Sequence, residues 1–191
     1  MHTNRLNIES KPAQKGFNLM LSFLDSPLRS FINNPEKIIT GSNLKKGDKV
    51  LELGCGSGFF TIAASKAVGE NGWVHSTDLV DTAVSVTQKK VNENRLKNVI
   101  VSKADAHNTG LQSETYDKII LLGVVPAPII DLPIVLSESF RLLKPKGQLA
   151  IWTVFPFWSS KSVTKSGFFN YLGKNNSVHL FEKKAKTHTF F

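Results

Sequence analysis

The chain has 191 residues, 41% of them hydrophobic and 20% charged, which is enough apolar material for one proper core and too much for a disordered segment. Its formal net charge is +9, from 24 Lys and Arg against 15 Asp and Glu, so the surface favours anions without choosing among nucleic acid, anionic lipid and an acidic metabolite. A lone cysteine, Cys55, excludes an internal disulfide framework, zinc ribbons and cysteine-held clusters, and no metal site is expected.

The first 12 residues are polar and lack the apolar stretch of a secretory signal. The longest apolar run, residues 119–130, contains one Gly and two Pro and falls well short of the ~20 residues of a membrane span. A cytoplasmic protein with no membrane insertion is the expectation. Basic residues are dispersed, as at Lys45, Lys46 and Lys49, then Lys89 and Lys90, then Lys183, Lys184 and Lys186. That dispersion suits a solubilising surface better than a nucleic-acid footprint.

Residues 17–39 are apolar but irregular, interrupted by Pro27 and Pro35. Asn34-Pro35-Glu36 is a helix start, with a capping side chain, proline in the first turn and an acid at the positive end of the dipole. Residues 1–47 are expected to form an N-terminal helical lid within a single domain spanning 1–191; the alternative is a helix packed on the sheet.

From residue 48 onward, strand-like and helix-like patterns alternate, which implies a parallel sheet covered on both faces. Strands are expected at 49–53, 73–77, 98–102, 116–125 and 148–155. Helices are expected at 59–68 (stopped by Gly69), at 81–96 with Asp81 as N-cap, and at 133–143. Residues 144–147 read as a turn. A short helix over 160–166 precedes two strands, 168–172 and 177–182, joined as a hairpin. The expected fold is therefore α/β and doubly wound: a mostly parallel seven-stranded sheet, helices on both faces, and a C-terminal antiparallel hairpin.

The strongest motif is Glu52-Leu53-Gly54-Cys55-Gly56-Ser57-Gly58, in which a buried strand runs straight into a glycine-rich turn and a helix. Glycines admit positive φ and let backbone approach a ligand closely. A dinucleotide fingerprint places its third glycine three residues after the second, where this chain has Phe59, and no Walker A run occurs. Asp78, 20 residues beyond Gly58, ends the second strand, where a carboxylate can accept from both hydroxyls of a ribose.

Acid-x-Gly-x-Gly-x-Gly on a first strand resembles motif I of the class I S-adenosylmethionine (SAM)-dependent methyltransferases, whose fold is Rossmann-like. Lys103-Ala104-Asp105-Ala106, Tyr116-Asp117-Lys118-Ile119-Ile120-Leu121-Leu122-Gly123 and Leu142-Leu143-Lys144-Pro145-Lys146-Gly147 match later segments of that family, with Lys146 standing where the family has glycine. The resemblance covers residues 48–183, the expected SAM-binding core, and is nearest to the small metabolite and quinone-biosynthesis enzymes. It implies SAM as cofactor, held by Glu52, Gly54, Cys55, Gly56, Gly58, Asp78, Leu79, Asp105, Ala106, Leu122 and Gly123. Leu79 would lie on the adenine, Asp105 would accept from its exocyclic amine, the Ala106 N–H would donate to a ring nitrogen, and Leu122 and Gly123 would flank the methionine portion.

Methyl transfer from a sulfonium is in-line displacement at an activated carbon, so position and exclusion of water matter most. His75 and His107 are weak candidates for a general base and no catalytic residue is assigned; Cys55 reads as packing. The loop after the fourth strand lacks the Asn/Asp-Pro-Pro-aromatic run of amino-group methyltransferases. Phe157 and Trp158 read either as an acceptor wall or as loop packing. The expected function is methyl transfer to a small-molecule acceptor by a monomer or homodimer. An RNA or other macromolecular acceptor, or a SAM-binding module without catalysis, are the alternatives.

Overall fold

In the computed structural model, described for residues 34–126, 130–155 and 157–185, seven strands form one sheet in the order β3-β2-β1-β4-β5-β7-β6. The strands are β1 (Lys49–Leu53), β2 (Trp73–Asp78), β3 (Val99–Lys103), β4 (Tyr116–Leu122), β5 (Leu143–Trp152), β6 (Phe169–Asn175) and β7 (Val178–Lys183). The helices are α1 (Pro35–Gly41), α2 (Thr61–Val68), α3 (Asp81–Glu93), α4 (Leu132–Leu142) and α5 (Lys161–Lys165). Strands β1 to β5 are mutually parallel, and β7 runs antiparallel between β5 and β6.

Successive side chains of a strand point to opposite faces, so the apolar runs supply two cores. Val50, Val74, Ile120, Leu122, Ala150 and Trp152 meet α1 and α2 on one face. Leu51, Leu53, Ile119, Leu121, Leu149 and Ile151 meet α4 and α5 on the other. The order reverses between β1 and β4, since β1 leads outward to β2 and β3 while β4 leads the other way. In open α/β sheets that reversal opens a crevice at the carboxyl ends of the strands.

The described part of the expected lid, α1, is a packed helix. Asn34 Oδ1 accepts from the Lys37 N–H at 2.9 Å, and Ile38 and Ile39 are buried in the core beside Trp152. Residues 1–33, which hold most of the apolar run 17–39, lie outside the described residues.

Several boundaries differ from expectation for identifiable reasons. Strand β4 ends at Leu122, not at residue 125, because Gly123 turns into the left-handed region at φ 78°. Asp81 is the first helical residue of α3 and not its cap; its carboxylate pairs with Lys103 at 2.8 Å. The hairpin turns at Asn176 and Ser177, both at positive φ, so β6 continues to Asn175. The expected turn at 144–147 is a bulge within β5, since Tyr116 pairs with Leu143 but Lys118 with Gln148. The bulge is anchored from both sides: Lys144 pairs with Asp117 at 2.6 Å, and the buried Lys183 ammonium donates to the Leu143 carbonyl at 2.6 Å.

Lys146 occupies that bulge at φ 62°, where its Cβ crowds the following carbonyl. Left-handed backbone costs an L-residue roughly 1–2 kcal/mol, and glycine's greater freedom in the unfolded chain returns part of the difference. Lys146→Gly should therefore stabilise the fold by about 0.5–1 kcal/mol, read as a raised urea midpoint with unchanged slope. A lowered midpoint would mean that the lysine side chain makes a compensating contact.

Candidate functional site

The glycine turn is fixed by the strand beside it. Parallel pairing sets Leu53 against Thr77, and beyond that point the Thr77 carbonyl accepts from both the Gly54 N–H (2.8 Å) and the Cys55 N–H (2.9 Å). Gly54, Gly56 and Gly58 all have positive φ, at 81°, 55° and 74°. A Cβ on Gly54 would lie 2.7 Å from the Val124 side chain, so this glycine is required by close approach as well as by conformation.

Asp78 ends β2 beside the turn. One carboxylate oxygen accepts from the Gly56 N–H at 2.9 Å and the other from the Val80 N–H at 3.0 Å. Burial raises its pKa, opposed by the backbone N–H groups of Val80, Gly56 and Leu79. The side chain thus binds the glycine turn to the first turn of α3 while presenting a carboxylate at the crevice.

Glu52 takes a place behind the turn. It is almost wholly buried, and one oxygen accepts from Thr61 Oγ1 and from Ser76 Oγ, each at 2.6 Å. Burial raises its pKa against those two hydroxyl bonds, with the nearby charge of Asp78 adding to the rise. Cys55 is also buried; burial pushes its thiol pKa up, and Thr87 Oγ1 lies 3.4 Å from the sulfur. A buried thiol held so strongly protonated suits packing.

The remaining predicted residues gather on the same rim. Leu79 is 39% exposed directly after Asp78, an apolar surface suited to an aromatic ring. The Ala104 N–H donates to the Asp78 carbonyl at 3.0 Å, which brings Asp105 and Ala106 beside the end of β2. Ala106 packs against the core below. Glu52 pairs with Ile120, so Leu122 and Gly123, two and three residues further on, stand beside the glycine turn across the reversal point. The Gly123 N–H is held by the Trp152 carbonyl at 2.8 Å.

The two histidines considered as bases are engaged. His75 is buried, with Nδ1 2.9 Å from the Tyr116 hydroxyl and Nε2 2.8 Å from Ser102 Oγ, and burial lowers its pKa. His107 lies 2.6 Å from Asp105 through Nδ1 and accepts the Asp131 N–H through Nε2 at 3.0 Å. Phe157 and Trp158 differ in their surroundings. Trp158 packs against the core and the His179 ring, whereas Phe157 is 97% exposed beside the half-exposed Val154 and Phe155.

Sequence reasoning missed Thr87, Val124 and Ser57. Thr87 Oγ1 donates to the Gly56 carbonyl at 3.1 Å. Its signal was a threonine in the stripe Ala83, Thr87, Val91, the buried face of α3. Ser57 Oγ, inside the turn, is buried without a hydrogen-bond partner among the described residues. Nothing in the sequence marked Val124.

A glycine turn with Gly-x-Gly-x-Gly spacing at a topological reversal, an acid ending the neighbouring strand and an antiparallel β7 between β5 and β6 together fit the class I SAM-dependent methyltransferases. A family model described as "Methyltransferase domain" matches residues 44–186, and the chain belongs to that family. A demethylmenaquinone methyltransferase of Geobacillus is 34% identical over 107 residues, which cover 56% of this chain and 45% of that protein. The Bacillus subtilis protein of the same name is 29% identical over 60% of this chain and 48% of its own. The chain thus spans about half the length of the curated relatives it matches. A crystal structure described as a SAM dependent methyltransferase from Aquifex aeolicus superposes with a TM-score of 0.72 at 26% identity, covering 86% of this chain and 96% of that one.

The cofactor of this class is SAM, and the donor set fits it. A half-buried acid at the end of β2 suits ribose hydroxyls, the exposed Leu79 suits adenine, and the Ser57 hydroxyl, without a partner among the described residues, lies in the turn.

Two measurements probe this construction. Gly54→Ala should destabilise the protein by about 1–3 kcal/mol, the scale of a strained backbone, and lower SAM affinity by more than tenfold. Wild-type affinity in that variant would show that the turn can relax. For Glu52, the folded-state pKa lies above the ordinary value of 4.5, so the folded protein binds the extra proton. Stability then falls as pH rises from the ordinary glutamate value through the raised one. Glu52→Gln keeps an accepting oxygen for Thr61 and Ser76 without the charge. Urea melts across that range should show the variant gaining on its parent as pH rises, whereas parallel curves would contradict the assignment.

Proposed function

We propose that the protein transfers a methyl group from SAM to a small, largely apolar acceptor. The observation that carries this reading is the meeting of the glycine turn, Asp78 and the Asp105 segment at the carboxyl ends of β1, β2 and β3. SAM, when bound, supplies a methyl group on a sulfonium, an activated carbon open to in-line displacement. Asp78 would accept from the ribose hydroxyls and Leu79 would cover the adenine. Asp105 would accept from the exocyclic amine, and the Ala106 N–H would donate to a ring nitrogen. The backbone of Gly54, Gly56 and Gly58 would let the methionine portion approach closely, with Leu122 and Gly123 on its other side.

Glu52 and Cys55 serve this site from behind, by holding α2, β2 and α3 against the turn. With both ring nitrogens of His75 and of His107 hydrogen-bonded, neither is disposed to take a proton from an acceptor. Catalysis rests on positioning and on excluding water. Val154, Phe155 and Phe157, exposed just beyond the end of β5, provide an apolar wall for the acceptor. The name of the Geobacillus and Bacillus relatives points to a quinone-like ring, which such a wall would suit. Residues 1–47 would belong to the same single domain, acting in the cytoplasm as a monomer or homodimer. Among the described residues, no helix is long and apolar enough to cross a membrane.

Calorimetry should show binding of SAM and of S-adenosylhomocysteine, with NAD and ATP not appreciably bound. Asp78→Ala should weaken SAM binding by about 1.5–3 kcal/mol, the scale of hydrogen bonds to a charged group, with the fold retained. Labelled methyl from SAM should pass into the small-molecule fraction of a cell extract, insensitive to salt. Labelling of RNA that falls steeply with salt would favour the macromolecular acceptor suggested by the +9 charge. Binding without any turnover would leave a SAM-binding module.

A further inference from the structure

The loop after β3 contains a histidine that the proposed reaction does not use. His107 lies 2.6 Å from Asp105 Oδ1 through Nδ1, and its own backbone N–H donates to that same oxygen at 2.9 Å. On the opposite side of the ring, Nε2 accepts the Asp131 N–H at 3.0 Å. A nitrogen that accepts from a backbone N–H carries no proton, so the proton sits on Nδ1 and is donated to Asp105. The imidazole therefore spans two loops on the crevice rim, the one leaving β3 and the one entering α4. Both ends are well placed structurally. Asp131 is the N-cap of α4, and the 105–108 turn is closed by the Asn108 N–H on the Asp105 carbonyl at 3.0 Å. The side chains of His107 and Asp105 are only 16% and 24% exposed, so solvent competes little for the bond between them.

We infer that His107 is a positioning residue: its ring fixes the Asp105 carboxylate in the orientation that reads the exocyclic amine of adenine, and ties that subsite to the entrance of α4. The inference rests on the reading of Asp105 as the adenine contact. A carboxylate at a loop tip rotates about two side-chain torsions, and two hydrogen bonds on one oxygen remove that freedom before any ligand arrives. Selectivity follows from the same geometry. An amine donates to the fixed carboxylate, whereas a carbonyl at the same ring position sets two acceptors against each other. Asp105 provides the discrimination, and His107 keeps it aimed.

The two ring nitrogens can be separated by substitution. Asn at position 107 places an amide donor near the site of Nδ1 and keeps the link to Asp105. Gln reaches the site of Nε2 and keeps the link to the Asp131 N–H. Ala removes both. The full chain is titrated by calorimetry with S-adenosylhomocysteine and with its inosine counterpart, in which a carbonyl replaces the exocyclic amine, and urea melts are run alongside. The wild type should prefer the adenine ligand at least tenfold. His107→Ala and His107→Gln should narrow that preference by about tenfold, while His107→Asn should restore it to within about threefold of wild type even where its melt is lowered. A merely structural histidine would change the melts and leave the preference untouched, and that result overturns the inference. A preference that fails to return in His107→Asn overturns it too. Equal binding of both ligands by the wild type would overturn the Asp105 reading and the role of His107 with it. Failure of the wild type to bind either ligand would overturn the SAM site itself.

Discussion

Everything at the crevice depends on how the glycine turn after β1 is held. A turn with three residues at positive φ has little intrinsic preference for one shape, because glycine gives up more backbone freedom on ordering than any other residue. The surrounding chain supplies the shape. The Thr77 carbonyl takes two successive N–H groups, Asp78 takes the Gly56 N–H, and Thr87 donates to the Gly56 carbonyl. β2 and α3 are thereby locked to the turn through the turn's own backbone atoms. A site built this way presents backbone to a ligand at close range without having to order it on binding.

Behind the turn, the buried Glu52 performs the corresponding task for β1, β2 and α2. It accepts two hydroxyl hydrogen bonds in a dry setting, which compensates part of the desolvation that burial imposes. The nearby charge of Asp78 raises the pKa of Glu52 further. The two carboxylates together hold the turn against its neighbouring elements.

The far rim follows a different logic. Around β3 and α4, polar side chains tie loops to helices. Glu138 accepts from Arg141 at 2.8 Å and from Thr109 Oγ1 at 2.6 Å; burial opposes the charge, but these bonds win and bring the carboxyl pKa to about 2. His107 bridges Asp105 and the start of α4 in the same region. Two independent clasps thus hold the post-β3 loop onto α4. The loop can then form a defined side of the crevice although it has no regular structure of its own.

Much of this was legible in the sequence, for a physical reason. Strand and helix periods, helix stops and the glycine spacing are local properties, and local properties report which elements exist and in what order. The buried runs in β1 and β4, the alternation of β and α, and the placing of an acid at the end of β2 were all accessible in this way. Boundaries that depend on partners were not. The bulge at 144–147 arises from pairing with β4 and from the Lys183 anchor, and Val80, not Asp81, takes the capping position of α3, its N–H held by the Asp78 carboxylate. The inward turn of Glu52, the close approach of Val124 to Gly54, and the two-sided engagement of His107 are likewise contacts between residues far apart in the chain. Sequence periodicity carries no information on such distances, so only the tertiary structure decided which polar side chains are tied into the glycine turn and the loops around it.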